Sequence, residues 1–178
     1  MLRLHTILLF GTIGLQLPAR PQNQPRAAPT RAEIIRAATA IIAKAHYAAL
    51  VTIGEKGQPQ ARPVDPFAPE KDLTIWIATK ATTRKVDQIS ADPRVTLMYF
   101  DPANPGYVTI IGTAKVVRDP AEKAKHWKEE WTAFYKNKNR GDDYLLIRVT
   151  PTHLEMVSTA DGLMNDPKNW RPIMLELR

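Results

Sequence analysis

The sequence predicts a mainly β, α+β fold, an antiparallel barrel with helices packed outside. Six or seven strand-like runs are spread along a chain of 178 residues, and only three helical segments interrupt them. Most of the strand-to-strand links are short turns, which suit antiparallel pairing because parallel pairing needs long crossovers. A parallel doubly wound sheet is disfavoured on the same ground. No repeat of fixed period is visible.

The chain opens with Arg3 and His5 ahead of an apolar stretch from Ile7 to Leu15, then Leu17-Pro18-Ala19. A basic start, a short apolar run and a small residue near its end predict a secretory signal peptide over residues 1–19. Leu17 sits where a smaller residue is usual. The apolar run falls short of the roughly 20 residues that span a bilayer, so no stable membrane span is expected. Export to the periplasm or medium is the expectation, and an uncleaved tail on a cytoplasmic protein the alternative. Pro18, Pro21, Pro25 and Pro29 then rule out regular structure and mark residues 20–29 as a linker.

Folded structure is expected over residues 30–157. Thr30-Arg31-Ala32-Glu33 has the capping-box pattern, and Ile34, Ile35, Ala38, Ile41, Ile42 and Ala45 recur at helical spacing. From Ala49 to Ile53 the pattern becomes strand-like. Gly54-Glu55-Lys56-Gly57 supplies a turn, and Gln58 to Val64 returns as the hairpin partner. Leu73 to Thr79 reads as another strand, Thr83 to Ser90 as a short helix closed by Asp92-Pro93, and Val95 to Phe100 as a strand. Tyr107 to Val117 is a long strand with Gly112 in its interior, the mark of a bulge or a close neighbour. Asp119-Pro120 opens a helix expected to reach Phe134, with proline at its first position. Tyr144 to Val149 and Leu154 to Val157 read as two closing strands. The tail, residues 158–178, carries few regular signals.

Composition removes several chemistries. At 44% hydrophobic residues the chain can bury a real core. The absence of cysteine excludes disulfides, thiolate catalysis and zinc ribbons, as well as a lipid-anchored bacterial lipoprotein. Ser90 and Ser158 lie in no Gly-x-Ser-x-Gly elbow. His5, His46, His126 and His153 lack metal-ligand spacing, so no metal is expected. No Gly-x-Gly-x-x-Gly or P-loop is present. The formal charge of +7 suits an anionic partner, either a phosphorylated small molecule, nucleic acid or an acidic membrane surface, or else simply a solvated basic surface. No basic-aromatic ribbon supports nucleic acid.

The positive signal is Lys80-Ala81-Thr82-Thr83-Arg84-Lys85, after a strand and at the opening of a helix. Cations are poorly placed at a helix N-terminus, whose dipole end is positive. An anion there removes the conflict: free backbone N–H groups, the hydroxyls of Thr82 and Thr83, and the charges of Arg84 and Lys85 could converge on one phosphate. The alternative is an Arg84–Asp87 pair at i,i+3, with Lys85 merely facing water. Arg62, at the end of the hairpin just before Pro63, could reach the same anion, or stand as an ordinary surface charge.

Taken in order, these pieces resemble the pyridoxamine 5'-phosphate oxidase superfamily, and most of all its general-stress-protein branch. The resemblance runs from Thr30 to Val157. It is carried by Arg62-Pro63-Val64, Leu73 to Thr79, Thr82 to Ile89, Asp92-Pro93-Arg94-Val95, Tyr107 to Ala114 and Leu145 to Pro151. It implies a split barrel that dimerises, with an FMN in each of two clefts at the subunit interface. Carried over by position, Arg62, Pro63 and Val64 border flavin and phosphate, Ile77, Ala78 and Thr79 lie along the isoalloxazine, and Thr83, Arg84 and Lys85 match the family's phosphate clamp. Relatives of this fold also use the deazaflavin F420, which carries a phosphate too. The C-terminal Arg-x-His element of the true oxidases is absent. Asp166-Pro167-Lys168-Asn169-Trp170-Arg171-Pro172 stands there instead, which argues against vitamin B6 oxidation. Trp170 is either a lid over the flavin or an anchor for the tail. The implied function is a flavin-dependent oxidoreductase acting on a small-molecule redox substrate, or a non-catalytic flavin-binding stress protein. No side chain stands out as a general acid or base.

Overall fold

A computed structural model of the chain describes residues 27–101 and 103–177. The expected signal peptide and most of the expected linker lie outside the described residues.

The first helix, α1 (Arg31–Ala45), starts where its capping box dictates. Thr30 accepts from the Glu33 amide, and the Glu33 carboxylate accepts from the Thr30 amide at 2.7 Å. Ile34, Ala37, Ala38, Ile41 and Ile42 form its buried face. That face packs on the sheet, where each large apolar side chain stabilises the fold by roughly 1.5–3 kcal/mol.

The sheet is antiparallel throughout and curls into a half-barrel. Its strands are β1 (Ala48–Ile53), β2 (Pro59–Val64), β3 (Ile75–Lys80), β4 (Arg94–Asp101), β5 (Gly106–Val117), β6 (Tyr144–Ser158) and β7 (Ile173–Glu176). Their spatial order is β2-β1-β4-β5-β6-β3, with β7 also on β6. One edge of the long β6 is shared, β3 pairing with Tyr144–Val149 and β7 with His153–Met156. Leu50, Leu97, Val108, Ile110, Ile147 and Leu154 lie at the centre of the core. Helix α2 (Arg84–Ala91) follows β3 and is pinned by the buried Val86 and Ile89. No helix among the described residues is long and apolar enough to cross a membrane.

Four expectations need correction. Strand β3 begins at Ile75 rather than Leu73, because Leu73 sits at φ +63° and the Asp72 carboxylate captures the Thr74 amide and hydroxyl, each at 3.0 Å. The helix opened by Asp119-Pro120, α3 (Pro120–Lys125), stops nine residues short of Phe134 and gives way to a short 3-10 turn at Glu129–Ala133. The reason is tertiary: the buried Tyr144 hydroxyl donates to the His126 carbonyl, which a longer helix would offer to its own backbone.

The two closing strands are one. Pro151 stands opposite Gly112, where the register shifts, so its missing N–H falls at a bulge. Beside it the Thr152 hydroxyl donates to the Ile111 carbonyl at 3.1 Å, and the Leu177 amide donates to the Thr152 carbonyl at 2.8 Å. The same partner explains the fourth difference: the tail contributes β7, stitched to β6 by pairing that no local pattern announces.

Candidate functional site

The junction between β3 and α2 is the centre of the site. Ala81 and Thr83 close a turn through the Asp143 and Lys80 carbonyls, at 3.1 and 3.2 Å. Thr83 is the N-cap residue of α2, but its side chain caps nothing. Its hydroxyl donates to the Lys80 carbonyl at 2.9 Å and lies 2.9 Å from the Thr79 hydroxyl. The helix therefore begins without the side-chain acceptor its first amides call for.

A cleft of about 340 Å³ lies beside this junction. Pro63, Val64 and Asp65 bound it from the end of β2, and Ala78, Thr79 and Lys80 from β3. Thr83 and Lys85 bring the start of α2 to it. Trp131, Phe134 and Tyr135 form an aromatic lip. Arg84 turns the other way, into a second groove of about 620 Å³ that it shares with Gln60 and Gln88. Arg62 lines neither cavity but is electrostatically coupled to both Lys85 and Arg84. Its field lowers the pKa of Lys85 after the larger effect of burial, and Arg84 likewise lowers that of Arg62 after burial. Among the described residues no carboxylate lies within ion-pair distance of Arg62, Arg84 or Lys85. Three cations thus stand near one another and near the positive end of a helix; Asp87, in the first turn, lines the same groove as Arg84 but forms no ion pair with it.

Arg62 is not a plain surface charge. Its Nη1 donates to Thr52 Oγ1 at 2.5 Å and to the Leu50 carbonyl at 3.4 Å, and its Nη2 donates to Gln88 Oε1 at 3.0 Å. Of the other sequence-derived residues, Pro63, Val64, Ala78, Thr79, Thr83 and Lys85 meet in the cleft. Ile77 is 1% exposed and belongs to the core, because strand alternation turns it away from Ala78. Thr82 is exposed in the turn and lines neither cavity. Trp170 is 77% exposed in the loop before β7 and lies outside the cleft of its own chain.

The aromatic lip escaped the sequence reading because its residues were assigned to a continuous helix. The lip is held by Lys128, which donates to Asp65 at 2.8 Å and lies 4.9 Å from the centroid of the Trp131 ring. Behind it Trp76, Tyr135, Tyr144 and Leu146 make a second buried cluster; the half-buried Trp127 meets Tyr135 and Tyr144 edge to face, as those two meet each other, and Trp76 stacks on His126. The closeness of Trp127, Trp131, Phe134 and Tyr135 in the sequence was the available signal.

The family model described as pyridoxamine 5'-phosphate oxidase like matches residues 33–165. No curated protein matches. Among solved structures, General Stress Protein 26 from Bacillus anthracis str. Sterne superposes with a TM-score of 0.64 at 19% identity, covering 81% of this chain and 98% of that one. A Clostridium acetobutylicum protein related to general stress protein 26 gives 0.66 at 17%, covering 81% and 93%. A pyridoxamine 5'-phosphate oxidase-related, FMN binding protein from Nostoc punctiforme PCC 73102 gives 0.56 at 17%, covering 84% and 98%. At these identities the structures show a shared fold, the split barrel.

Proposed function

Because the chain belongs to the pyridoxamine 5'-phosphate oxidase-like family, we propose that it is a flavoprotein that binds FMN in the cleft at the β3–α2 junction and works as a flavin-dependent oxidoreductase on a small molecule. The observation that carries this reading is the group of three cations, Arg62, Arg84 and Lys85, none of them in an ion pair among the described residues, at a helix start with no side-chain cap. A phosphate dianion supplies the charge such a group lacks. The residues present fit the rest of the cofactor as well. Pro63, Val64 and Ala78 offer an apolar floor, and Trp131 and Phe134 offer flat faces for a ring system.

When bound, the flavin supplies hydride transfer, while the protein supplies binding, orientation and electrostatics. The split barrel would orient the ring between the end of β2 and the aromatic lip. Arg84, Lys85 and the amides at the start of α2 would hold the phosphate, with Thr83 beside them and Thr82 exposed at the rim.

We also propose that the protein is a homodimer. The cleft of one chain is at the lower end of the roughly 300–1,000 Å³ typical of small-molecule sites, and it is open on one side. The outer face of the sheet carries exposed apolar side chains, Met98 (43%), Phe100 (55%) and Met174 (58%). Pairing aligns Met98 with Thr109, Glu155 and Met174 across the sheet and puts Phe100 opposite Tyr107. Exposed apolar side chains on this face, with Thr109 and Glu155 between Met98 and Met174, suit a second copy. Trp170 would meet a flavin only across such a dimer.

The test is titration of the purified full chain with FMN, riboflavin and F420, followed by absorbance and fluorescence. FMN is expected to bind much more tightly than riboflavin, which has the same ring without the phosphate. Equal affinity for FMN and riboflavin would remove the phosphate site, and preference for F420 would replace the cofactor.

A further inference from the structure

Arginines that hold a fixed position inside a protein usually do so against a carboxylate, which also cancels their charge. Arg62 is held by uncharged groups alone. Thr52, itself fully buried, accepts from Arg62 Nη1 and donates to Gln88 Oε1 at 2.6 Å. Gln88 Oε1 also accepts from Arg62 Nη2, and the far end of the same amide donates to Gln60 Oε1 at 2.9 Å. That last bond sets the orientation of Gln88, directing its oxygen rather than its nitrogen toward Arg62. Gly54 keeps the space for Gln60, since a Cβ there would stand 2.6 Å from Gln60 Nε2. Arg62 Nε makes no hydrogen bond among the described residues, which leaves one edge of the guanidinium without a protein partner.

We propose that Thr52, Gln60 and Gln88 are positioning residues that fix Arg62 with neutral acceptors so that its whole charge remains for the ligand's phosphate. The inference rests on the phosphate-binding reading above. A neutral tether costs the ligand-free protein something, because a partly buried guanidinium beside Arg84 has no carboxylate partner; burial, then Arg84, lowers its pKa. A carboxylate at position 88 would relieve that cost and stabilise the fold, but it would cancel the field the phosphate requires. The tether therefore exchanges stability for affinity, and a merely structural hydrogen-bond network would not.

The experiment compares Gln88→Glu and Gln88→Met with the wild type, measuring thermal midpoints and affinities for FMN and riboflavin. The expected result for Gln88→Glu is an unchanged or raised midpoint, riboflavin affinity within about twofold of wild type, and FMN affinity weaker by roughly ten- to a hundredfold, the worth of one charge-assisted hydrogen bond. Gln88→Met, which loosens Arg62 without neutralising it, should narrow the gap between FMN and riboflavin by a smaller factor. It keeps the test valid if the glutamate variant does not fold. An FMN–riboflavin gap in both variants equal to that of the wild type overturns the neutral tether while leaving the cofactor reading intact. A wild type with no gap overturns the phosphate reading and the tether with it. Collapse of the fold in both variants makes Gln88 a structural residue and also overturns the proposal.

Discussion

Arg84 and Lys85 are sequence neighbours that face different cavities, because successive residues of a helix point about 100° apart. The proposed phosphate site therefore requires Arg84 to reach from its own groove toward the cleft that Lys85 lines. Replacing both by alanine should weaken FMN binding by two decades or more, at roughly 1.5–3 kcal/mol per charged hydrogen bond, with an unchanged far-ultraviolet circular dichroism spectrum. An unaltered FMN affinity in that double variant would remove the site. The pH dependence follows from the same residues. Burial, then Arg62, lowers the Lys85 pKa in the ligand-free protein. A bound phosphate favours the ammonium, so binding takes up a proton once the pH nears that lowered value. FMN affinity should accordingly fall as pH rises through the Lys85 pKa. It should also fall below about pH 6, where the phosphate becomes a monoanion. Isothermal titration in buffers of different ionisation enthalpy reads the proton uptake directly, and a flat alkaline limb would show that Lys85 does not face the phosphate. The cations at 84 and 85 were visible in the sequence because they break the dipole rule. The neutrality of the group holding Arg62 was not, since Thr52, Gln60 and Gln88 come from two strands and a helix.

Secondary-structure elements divide the same way. Helix α1 was legible from its cap and its face, both local, and the hairpin β1–β2 from its turn. The interior glycine of β5 was legible as an anomaly, and the structure gives its cause. A Cβ at Gly112 would stand 2.1 Å from the Thr150 carbonyl oxygen and 2.9 Å from Pro151 Cα, both backbone atoms that cannot step aside. Gly112→Ala should therefore destabilise the protein by about 3 kcal/mol, seen as a lower denaturant midpoint. A shift of only a few tenths would mean the bulge can relax. The segment after α3 was misread because its helical pattern continues where the Tyr144 hydroxyl takes the chain's carbonyl. What results is the aromatic lip. Phe134 is 63% exposed, so Phe134→Ala should leave stability within about 0.5 kcal/mol. If its ring stacks on the flavin, FMN and riboflavin should both weaken by about three- to tenfold, since the contact is with the ring they share. Weakening of FMN alone would place Phe134 near the phosphate instead.

For the whole molecule, the apolar outer face and the open cleft pose one question. Met98→Glu with Phe100→Glu should convert a dimer into a monomer in size-exclusion chromatography with light scattering, and should weaken FMN along with it. A wild-type protein that runs as a monomer would reject the proposed interface. Export remains a proposal of the first 19 residues, and the mass of the mature N-terminus from an expressing cell tests it.

The fold class, the capped first helix, the crowded glycine of β5 and the cations at the start of α2 could be read from the sequence, since each leaves a local mark: a cap satisfied, a glycine out of place, positive charges at the positive end of a helix. The continuous β6, the added β7, the aromatic lip and the uncharged support of Arg62 could not. Each is made by hydrogen bonds or ring contacts between residues far apart in the chain, and such pairings leave no periodic trace along either partner.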